Sequence, residues 1–523
     1  MYLQRIFAND DLRRLDALIE ADPFVTLITA GSDGLPLASQ VPVLYQRDGD
    51  DVLIEGHWSR VNPQVAHHDR RALLIVQGPH AYISASWYPD KIEQSRVPTW
   101  NYSTAHLHGV VMHEMFVRDT LGDVLKIAIC AISALALLYS WKYLRERDLY
   151  QGEIAVLILF ATLGMMLLVS AGSLPMVYLG LELLALCSYA LVAVDRDNGR
   201  GSEAAMKYFV LGSLASGLLL YGMSLVYGAT GSLDLTQIAA AADTSSVLLL
   251  TGMVFIVAGV AFKFGAAPFH MWLPDAYQGA PTAITVFIGS APKIAAFGMA
   301  IRLLETGLGG LDAHWRVLLA GLAAFSLVIG NLMALVQSDL KRMLAFSTIS
   351  HVGFLFIGLA GGGQTGYAAA MFYAIAYALM STAAFGAIVA LSARGFEGDQ
   401  IDDFRGLNAR SPWMAAMMLC VMASLAGVPP FLGFWAKLAV LRAALNGDML
   451  WLAVVGVVFA VIGAFYYLRV IKAMYFDEPQ GGEAVTPRDD RVLRVVFGVN
   501  ALGLLALGVF WSPLMVWCQQ AFA

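Results

Sequence analysis

The chain carries two different hydrophobic patterns. Up to about residue 105 its apolar runs are short (Phe24 to Thr29, Ala38 to Leu44, Val52 to Ile54, Ala72 to Val76), and turn-forming strings such as Gly31-Ser32-Asp33-Gly34 and Arg47-Asp48-Gly49-Asp50 separate them. That pattern predicts a helix near 9–21 followed by a small soluble antiparallel β-barrel or sandwich. From Thr120 onward the runs lengthen to the ~20 residues that a helix needs to cross a bilayer. They fall near 121–141, 153–171, 173–194, 205–228, 246–275, 281–304, 315–337, 341–360, 367–393, 412–445, 449–475 and 492–518. The expected architecture is an all-α polytopic membrane domain of about twelve transmembrane helices over 115–523, preceded by a small soluble domain over 1–110.

Lys263 and Lys437 each lie near intrahelical prolines, Pro268 in one segment and Pro429-Pro430 in the other. Proline removes a backbone donor and opens the helix, so both crossings are expected to be broken. Freed backbone at membrane depth survives only where protein or water satisfies it, which makes both breaks candidate hydrated cavities. Each break carries Pro-Phe and then Trp (Pro268-Phe269-His270-Met271-Trp272; Pro430-Phe431-Leu432-Gly433-Phe434-Trp435), a faint trace of the inverted repeats common in transporters.

Composition agrees with the pattern. Of 523 residues 58% are hydrophobic and 14% charged, whereas soluble domains carry roughly 25% charged residues. Cys130, Cys187, Cys420 and Cys518 lie far apart in apolar sequence, so neither a disulfide framework nor a metal site is expected. A net charge of -6 spread over both halves predicts no nucleic-acid partner. Residues 1–30 lack a basic stretch followed by an unbroken apolar core, so no signal peptide is expected.

Loop charges set the expected topology. One alternate set of loops holds Lys142, Arg145, Arg147, Arg196, Arg200, Lys341, Arg342, Arg394, Arg405, Arg410, Lys472, Arg488, Arg491 and Arg494, and the opposite set little beyond Arg118, Arg302, Arg316 and Arg442. By the positive-inside rule the first set is cytoplasmic. Residues 1–110 would then lie outside, which conflicts with a soluble domain that has no export signal.

A charge at the centre of a membrane helix costs roughly 2.5–3.5 kcal/mol on insertion scales, so each one is a functional candidate. Glu182, Lys207, Lys263, His270, Lys293 and Lys437 occupy such positions. The chemistry that fits is proton relay, because a lysine enclosed in apolar surroundings holds its proton less firmly and a carboxylate brought near restores it. In that scheme Glu182 biases Lys207 or Lys263, His270 and Lys293 bridge the middle, and Lys437 exchanges with the outside. Lys207 and Lys293, near helix ends, also read as side chains snorkelling to the interface. His270 and His351 also read as core histidines, and Asp339 with Lys341 as an interfacial anchor at a helix end. No nucleotide loop, metal cluster or quinone head-group signature occurs in 115–523, so no cofactor is expected there.

Two resemblances extend this reading. Gly56-His57-Trp58-Ser59-Arg60-Val61-Asn62-Pro63, Gln77-Gly78-Pro79-His80-Ala81-Tyr82-Ile83-Ser84 and Val97-Pro98-Thr99-Trp100-Asn101-Tyr102 resemble the PaiB-type family of FMN-binding negative transcriptional regulators over about 1–110. This implies a split β-barrel with Arg60, Asn62, His80 and Trp100 as candidate flavin contacts and FMN as their ligand, in a copy lacking the family's C-terminal half. Tyr178-Leu179-Gly180-Leu181-Glu182-Leu183, Glu203-Ala204-Ala205-Met206-Lys207-Tyr208-Phe209, Phe262-Lys263-Phe264-Gly265-Ala266-Ala267-Pro268-Phe269-His270-Met271-Trp272-Leu273-Pro274-Asp275-Ala276 and Ser338-Asp339-Leu340-Lys341-Arg342-Met343 resemble the antiporter-like N subunits of the bacterial proton-pumping NADH:quinone oxidoreductase, respiratory complex I. That implies a multi-pass subunit of the bacterial inner (plasma) membrane with the other membrane subunits of complex I as partners. NADH and quinone would be reached only through the assembled complex. It also implies channel roles for Glu182, Lys207, Lys263, His270, Lys293 and Lys437, and a family architecture of fourteen helices whose first two are replaced here by the front domain. The alternatives are a stand-alone sodium or potassium/proton antiporter, and a non-native fusion whose front part is a flavin-binding regulator remnant.

Overall fold

The computed structural model describes residues 12–30, 35–48, 51–56, 62, 64, 71–83, 99–110, 115–150, 152–478 and 490–522. They belong to two compact units, Met1–Glu114 and Met115–Ala523.

In the first unit helix α1 (Leu12–Ala21) precedes strands β1 (Phe24–Ala30), β2 (Pro36–Asp48), β3 (Asp51–Gly56), β4 (Arg71–Ile83) and β5 (Thr99–Val110). All pair antiparallel in the order β3-β2-β1-β4-β5. Successive strand side chains point to opposite faces, so Val25 and Leu27, Val41 and Val43, and Ala72 and Val76 turn inward together against Leu15 and Ile19 of α1. Asp16 ties the helix to the sheet, accepting from Tyr45 Oη at 2.5 Å and Arg47 Nη2 at 2.7 Å. The Arg47 guanidinium, with the Tyr45 hydroxyl, holds the Asp16 carboxyl below the usual carboxylate range. A depressed folded value contributes stability that is present above the unfolded pKa, about 3.9, and is lost as pH falls through the folded one. We expect amide exchange of α1 to accelerate relative to the strands below about pH 4, and Asp16→Asn to remove that pH dependence.

The second unit is helical: α2 (Thr120–Glu146), α3 (Gly152–Val169), α4 (Leu174–Val192), α5 (Gly199–Thr230), α6 (Leu235–Ala240), α7 (Val247–Phe264), α8 (Trp272–Gly279), α9 (Thr282–Ile288), α10 (Ala291–Ala300), α11 (Asp312–Leu335), α12 (Leu340–Gly361), α13 (Gly363–Leu391), α14 (Leu407–Arg410), α15 (Pro412–Ala426), α16 (Leu432–Asn446), α17 (Leu450–Tyr475), α18 (Arg491–Val509) and α19 (Ser512–Gln520). A π-helical turn, Ile301–Gly307, extends α10. Among the described residues eleven helical stretches are long and apolar enough to cross a membrane. The crossing at 412–445, expected to be broken, consists of two half-helices, α15 and α16, and with it the expected twelve are matched.

The breaks differ from expectation in their cause. Helix α7 stops at Gly265 (φ 77°) and α15 at Gly427 (φ 83°), each before its proline is reached. Glycine takes the left-handed conformation without a Cβ penalty and so ends the helix. The expected last crossing also ends early, at Val509, and Pro513 starts the separate helix α19.

Helices α9–α10, α12 and α13 are enclosed nearly all round, whereas α5 and α17 leave rows such as Phe209, Val210 and Leu214, or Val458, Val461 and Phe465, exposed. A helix apolar on every side is stable in either setting, buried in the bundle or facing lipid. Among the described residues the ion pairs that join different segments stay within one expected loop set. Lys142–Asp490, Arg147–Glu397, Arg394–Asp148, Lys207–Asp275 and Arg342–Asp275 hold one end, and Arg302–Asp119 the other.

Arginines also close helix C-termini, where carbonyls lack helical partners. Arg316 donates to Ala360 and Gly361 carbonyls at 2.7 Å, and Arg469 to those of Leu335 and Gln337. Arg302, almost fully buried in the π turn, donates to the Val169 carbonyl and grips both oxygens of Asp119 at 2.7 Å. Arg302→Met should destabilise the membrane unit by about 3 kcal/mol, since it strands a half-buried carboxylate. Unfolding in detergent should show part of that loss recovered when Asp119→Asn is added.

Candidate functional site

The predicted ionisable residues fall into two groups that sequence alone did not separate. Lys207, at the end of the bundle, meets Glu203 at 2.8 Å and Asp275 at 3.0 Å. Asp275 also holds Arg342 at 2.8 Å, Arg342 donates to Gln278, and Gln278 donates to Asp339 at 2.7 Å. Asp339 in turn caps α12 by accepting from the Arg342 amide. The structure thus ties Lys207 to this surface network. Lys341 is buried beside it and donates to the Ala280 carbonyl at 2.7 Å.

Deeper in the unit, Glu182 of α4 and Lys263 of α7 line one cavity with Ser216, Tyr189, Gly212 and Trp272. Ser216 bonds the Glu182 carboxylate. A Cβ at Gly212 would overlap the Tyr189 hydroxyl, so a larger residue there would have to displace that ring. Trp272 Nε1 donates to the Phe262 carbonyl at 3.1 Å, closing the cavity against the broken end of α7.

From α10, Lys293 donates to the Phe264 carbonyl, the last of α7, at 2.7 Å, and its amine lies 5.5 Å from the Trp272 ring centroid and 6.0 Å from that of Tyr277. Lys437 of α16 does the same at the second break, donating to Leu425 and Ala426 carbonyls at 3.0 and 2.9 Å with the Phe354 ring at 5.2 Å. Each amine is a donor placed at a helix C-terminus, where a cation is favoured. His270 sits half-buried in the first break, and its Nδ1 is enclosed without a hydrogen-bond partner among the described residues.

His351 of α12 lies between the two breaks in sequence and is fully enclosed. Its Nδ1 meets the Tyr373 hydroxyl at 2.7 Å and its Nε2 that of Tyr467 at 3.0 Å. Tyr377 packs on its ring at 5.0 Å and donates to Thr348 at 2.7 Å. A second polar group, Asn331, Ser350 and Tyr466, adjoins it. These hydroxyls and the Asn331 amide escaped sequence reasoning, which counted charges. Their signal was spacing: Tyr373 with Tyr377, and Ser347 with His351, recur at i, i+4 on one face of otherwise apolar helices.

In the first unit Arg60 lies outside the described residues. His80 and Trp100 fall on β4 and β5, paired with Tyr102 and Tyr82, and their side chains lie outside the described ones. Asn62 is spent internally, donating to Ser39 Oγ at 2.6 Å and accepting from the Gln64 amide at 2.9 Å. Gln64 reaches Leu37, Thr29 and Leu27 across the sheet, leaving its Oε1 without a partner among the described residues.

Residues 171–463, more than half of the chain, match the sequence family described as NADH:quinone oxidoreductase/Mrp antiporter, TM. The chain belongs to this antiporter-like family. Over 417 residues it is 71% identical to NADH-quinone oxidoreductase subunit N of Xanthomonas euvesicatoria pv. vesicatoria (strain 85-10), covering 79% of this chain and 85% of that one. To subunit N of Thiobacillus denitrificans it is 55% identical, over 78% of this chain and 84% of the relative. A chain of respiratory complex I from Thermus thermophilus with bound Aureothin superposes with TM-score 0.67 at 32% identity, covering 77% and 87%. A chain of the Mrp complex from Dietzia sp. shares the fold at TM-score 0.70 and 23% identity, covering 86% and 87%. Residues 1–127 match a family described as "Putative FMN-binding domain".

The antiporter-like geometry at the second break permits a test that leaves the lysine in place. A Cβ at Gly427 would come 2.9 Å from Lys437 Cδ in a left-handed backbone. Gly427→Ala should therefore cost about 1 kcal/mol in backbone strain and lower proton pumping, the outcome also expected of Lys437→Ala. Pumping by inverted vesicles at the wild-type rate would show that the amine does not need its carbonyl seat.

Proposed function

We propose that residues 115–523 form a proton-translocating membrane subunit of a respiratory NADH:quinone oxidoreductase, in the role of the subunit N relatives, assembled with other membrane subunits in a bacterial plasma membrane. The chain contributes to that enzyme as a translocase part, and NADH and quinone act elsewhere in the assembly. Protons pass through Glu182 and Lys263, across Lys293, His270 and His351, to Lys437. Lys207, with Asp339 and Lys341, forms the charged mouth at the arginine-rich end of the bundle, which we take as cytoplasmic.

The observation that carries this reading is the environment of the buried amines. Lys293 and Lys437 face only carbonyls and ring surfaces among the described contacts, a setting in which an amine can keep a hydrogen bond with or without its extra proton. Shifting Glu182 or another charge toward or away from Lys263 then loads or releases a proton. Partner subunits supply that shift, by conformational or electrostatic coupling.

For the front part, read as a domain over 1–110, the family match favours a flavin-type reading. However, Asn62, the one candidate contact whose side chain is described, does not fit a flavin-holding role, because its amide is spent inside the unit. No step of the proposed function runs through FMN.

Complementation of a strain lacking subunit N tests the main reading. The chain should restore NADH-driven proton pumping and copurify with other complex I subunits, and Lys263→Ala should abolish most of the pumping. Normal pumping by Lys263→Ala sinks the relay, and sodium- or potassium-driven proton exchange by the isolated chain would favour a stand-alone antiporter. Flavin released from the denatured, purified chain should fall well below one equivalent.

A further inference from the structure

We infer that Glu397 and Lys341 are positioning residues of the relay, gripping the α8–α9 junction on either side of Pro281 and thereby keeping Lys293 on the Phe264 carbonyl.

The junction is a gap in helical hydrogen bonding. Helix α8 ends at Gly279, with Ala280 extended (ψ 148°), and α9 starts at Thr282. Helix ends leave carbonyls and amides without helical partners, and proline brings no amide of its own. Within the segment the Ala276 carbonyl takes the Ala280 amide, that of Tyr277 the Thr285 hydroxyl, and that of Pro281 the Ile284 and Thr285 amides. Two groups at the junction are met by distant side chains instead. The Ala280 carbonyl takes the Lys341 amine at 2.7 Å, and the Thr282 amide donates to the Tyr143 hydroxyl at 3.2 Å.

Glu397 completes the second of these contacts. The Tyr143 oxygen receives the Thr282 amide, and its single hydrogen turns to the Glu397 carboxylate, whose oxygens both lie 2.9 Å away. The Thr282 hydroxyl donates to the same carboxylate at 3.0 Å. Main chain and side chain of Thr282 are thus both tied to Glu397, one through Tyr143 and one directly. Arg147 braces the acceptor: its Nε donates to Glu397 at 3.1 Å, its Nη2 donates to the Ala393 carbonyl at 2.9 Å, and its guanidinium lies 3.8 Å from the Tyr143 ring centroid. Ala393 and Phe396 close the intervening turn with a reciprocal pair of backbone bonds. An exposed Arg–Glu pair contributes little to stability, whereas this partly exposed carboxylate serves two buried groups, Tyr143 and Thr282.

The junction reaches Lys293 by a short and enclosed path. All seven residues of α9 are buried, and Ser290, just beyond it, bonds back to the Val286 carbonyl at 2.6 Å while its own carbonyl takes the Lys293 amide at 3.0 Å. A close-packed interior passes a displacement on rather than absorbing it. A shift at Thr282 therefore moves the Lys293 amine relative to the Phe264 carbonyl, its acceptor at 2.7 Å. Both anchors come from the elements around His351: Lys341 stands in the first turn of α12, which carries His351, and Glu397 in the loop after α13, which carries Tyr373. The grip on the junction stands on these contacts, while its service to Lys293 rests on the relay reading.

Hydrogen–deuterium exchange of the assembled complex, followed by mass spectrometry of peptides over 280–294, reads the junction without reference to pumping. Exchange there should be roughly tenfold faster in Glu397→Ala and in Lys341→Met, since each removes hydrogen bonds to a charged group. It should stay near the wild-type rate in Glu397→Gln, whose amide oxygen still accepts from Tyr143 and Thr282. NADH-driven pumping by inverted vesicles should fall roughly tenfold in Glu397→Ala, as expected for a misplaced relay group, and recover in Glu397→Gln. Unchanged exchange over 280–294 in an assembled Glu397→Ala or Lys341→Met complex overturns the inference. Should neither assemble, Thr282→Val, which keeps both charges and the shape of the side chain, decides instead: exchange should rise roughly fivefold, and an unchanged rate overturns the inference as well. Fast exchange with wild-type pumping refutes the service to Lys293 and leaves the junction standing. Normal pumping by Lys263→Ala sinks the relay reading, and the exchange rates then still decide the junction.

Discussion

Inside a bilayer every backbone carbonyl needs a partner from the protein, and two interrupted helices make that requirement acute. Helix α15 meets it in full. The Ala423 carbonyl takes the Gly427 and Val428 amides, that of Ser424 also takes Gly427, and those of Leu425 and Ala426 take the Lys437 amine. At α7 the Ala261 carbonyl takes Ala266, that of Phe262 takes Gly265 and Trp272 Nε1, and that of Phe264 takes Lys293. A buried carbonyl left unpaired costs about 1–3 kcal/mol, comparable to the cost of placing a charge at mid-membrane. Break and lysine therefore offset one another, and neither is well explained alone.

The same accounting separates lysines that hold a proton from lysines suited to exchange one. Lys207 lies between two carboxylates at a partly exposed end, where ion pairs anchor an element and keep the amine charged. Lys293 and Lys437 bond carbonyls, and a carbonyl accepts from an ammonium with three donors, the stronger bond, and still accepts from an amine with two. Loss of the proton then breaks no hydrogen bond. Glu182 reaches Lys263 through a shared cavity and is itself held by Ser216. A small displacement at α4 or α5 can thus alter the field at Lys263 without dismantling the seat of Lys293.

Much of this was readable in the chain because hydrophobic length is a strong signal, and all twelve crossings were anticipated near where they lie. The glycine stops at Gly265 and Gly427 were overshadowed by their prolines, although Gly-x-x-Pro and Gly-x-Pro-Pro state the order of events plainly: helix end first, proline after it. Charge depth located Glu182, Lys263, Lys293 and Lys437, since an ionised group in an apolar run is conspicuous. Depth placed Lys207 and Lys293 alike near helix ends and could not tell the two apart, because the partners that anchor Lys207, Glu203 aside, come from α8 across the bundle. The hydroxyl and amide groups around His351 were invisible for a different reason. Tyrosine, serine and asparagine carry no charge, so a search for ionised groups passes over them, and only packing reveals that they converge.

The orientation of the first crossing follows from what holds it. Its N-terminal end is fastened by Asp119 to Arg302, and its other end by Lys142 to Asp490 and by Arg147 to Glu397. Inverting α2 would strand Arg302, the most deeply buried of these charges, along with its contact to the Val169 carbonyl. Breaking one partner of such a pair costs about 3–5 kcal/mol, more than a single charge costs on insertion scales. The loop arginines and the buried pair act in the same direction, so contacts within the bundle favour one direction for α2.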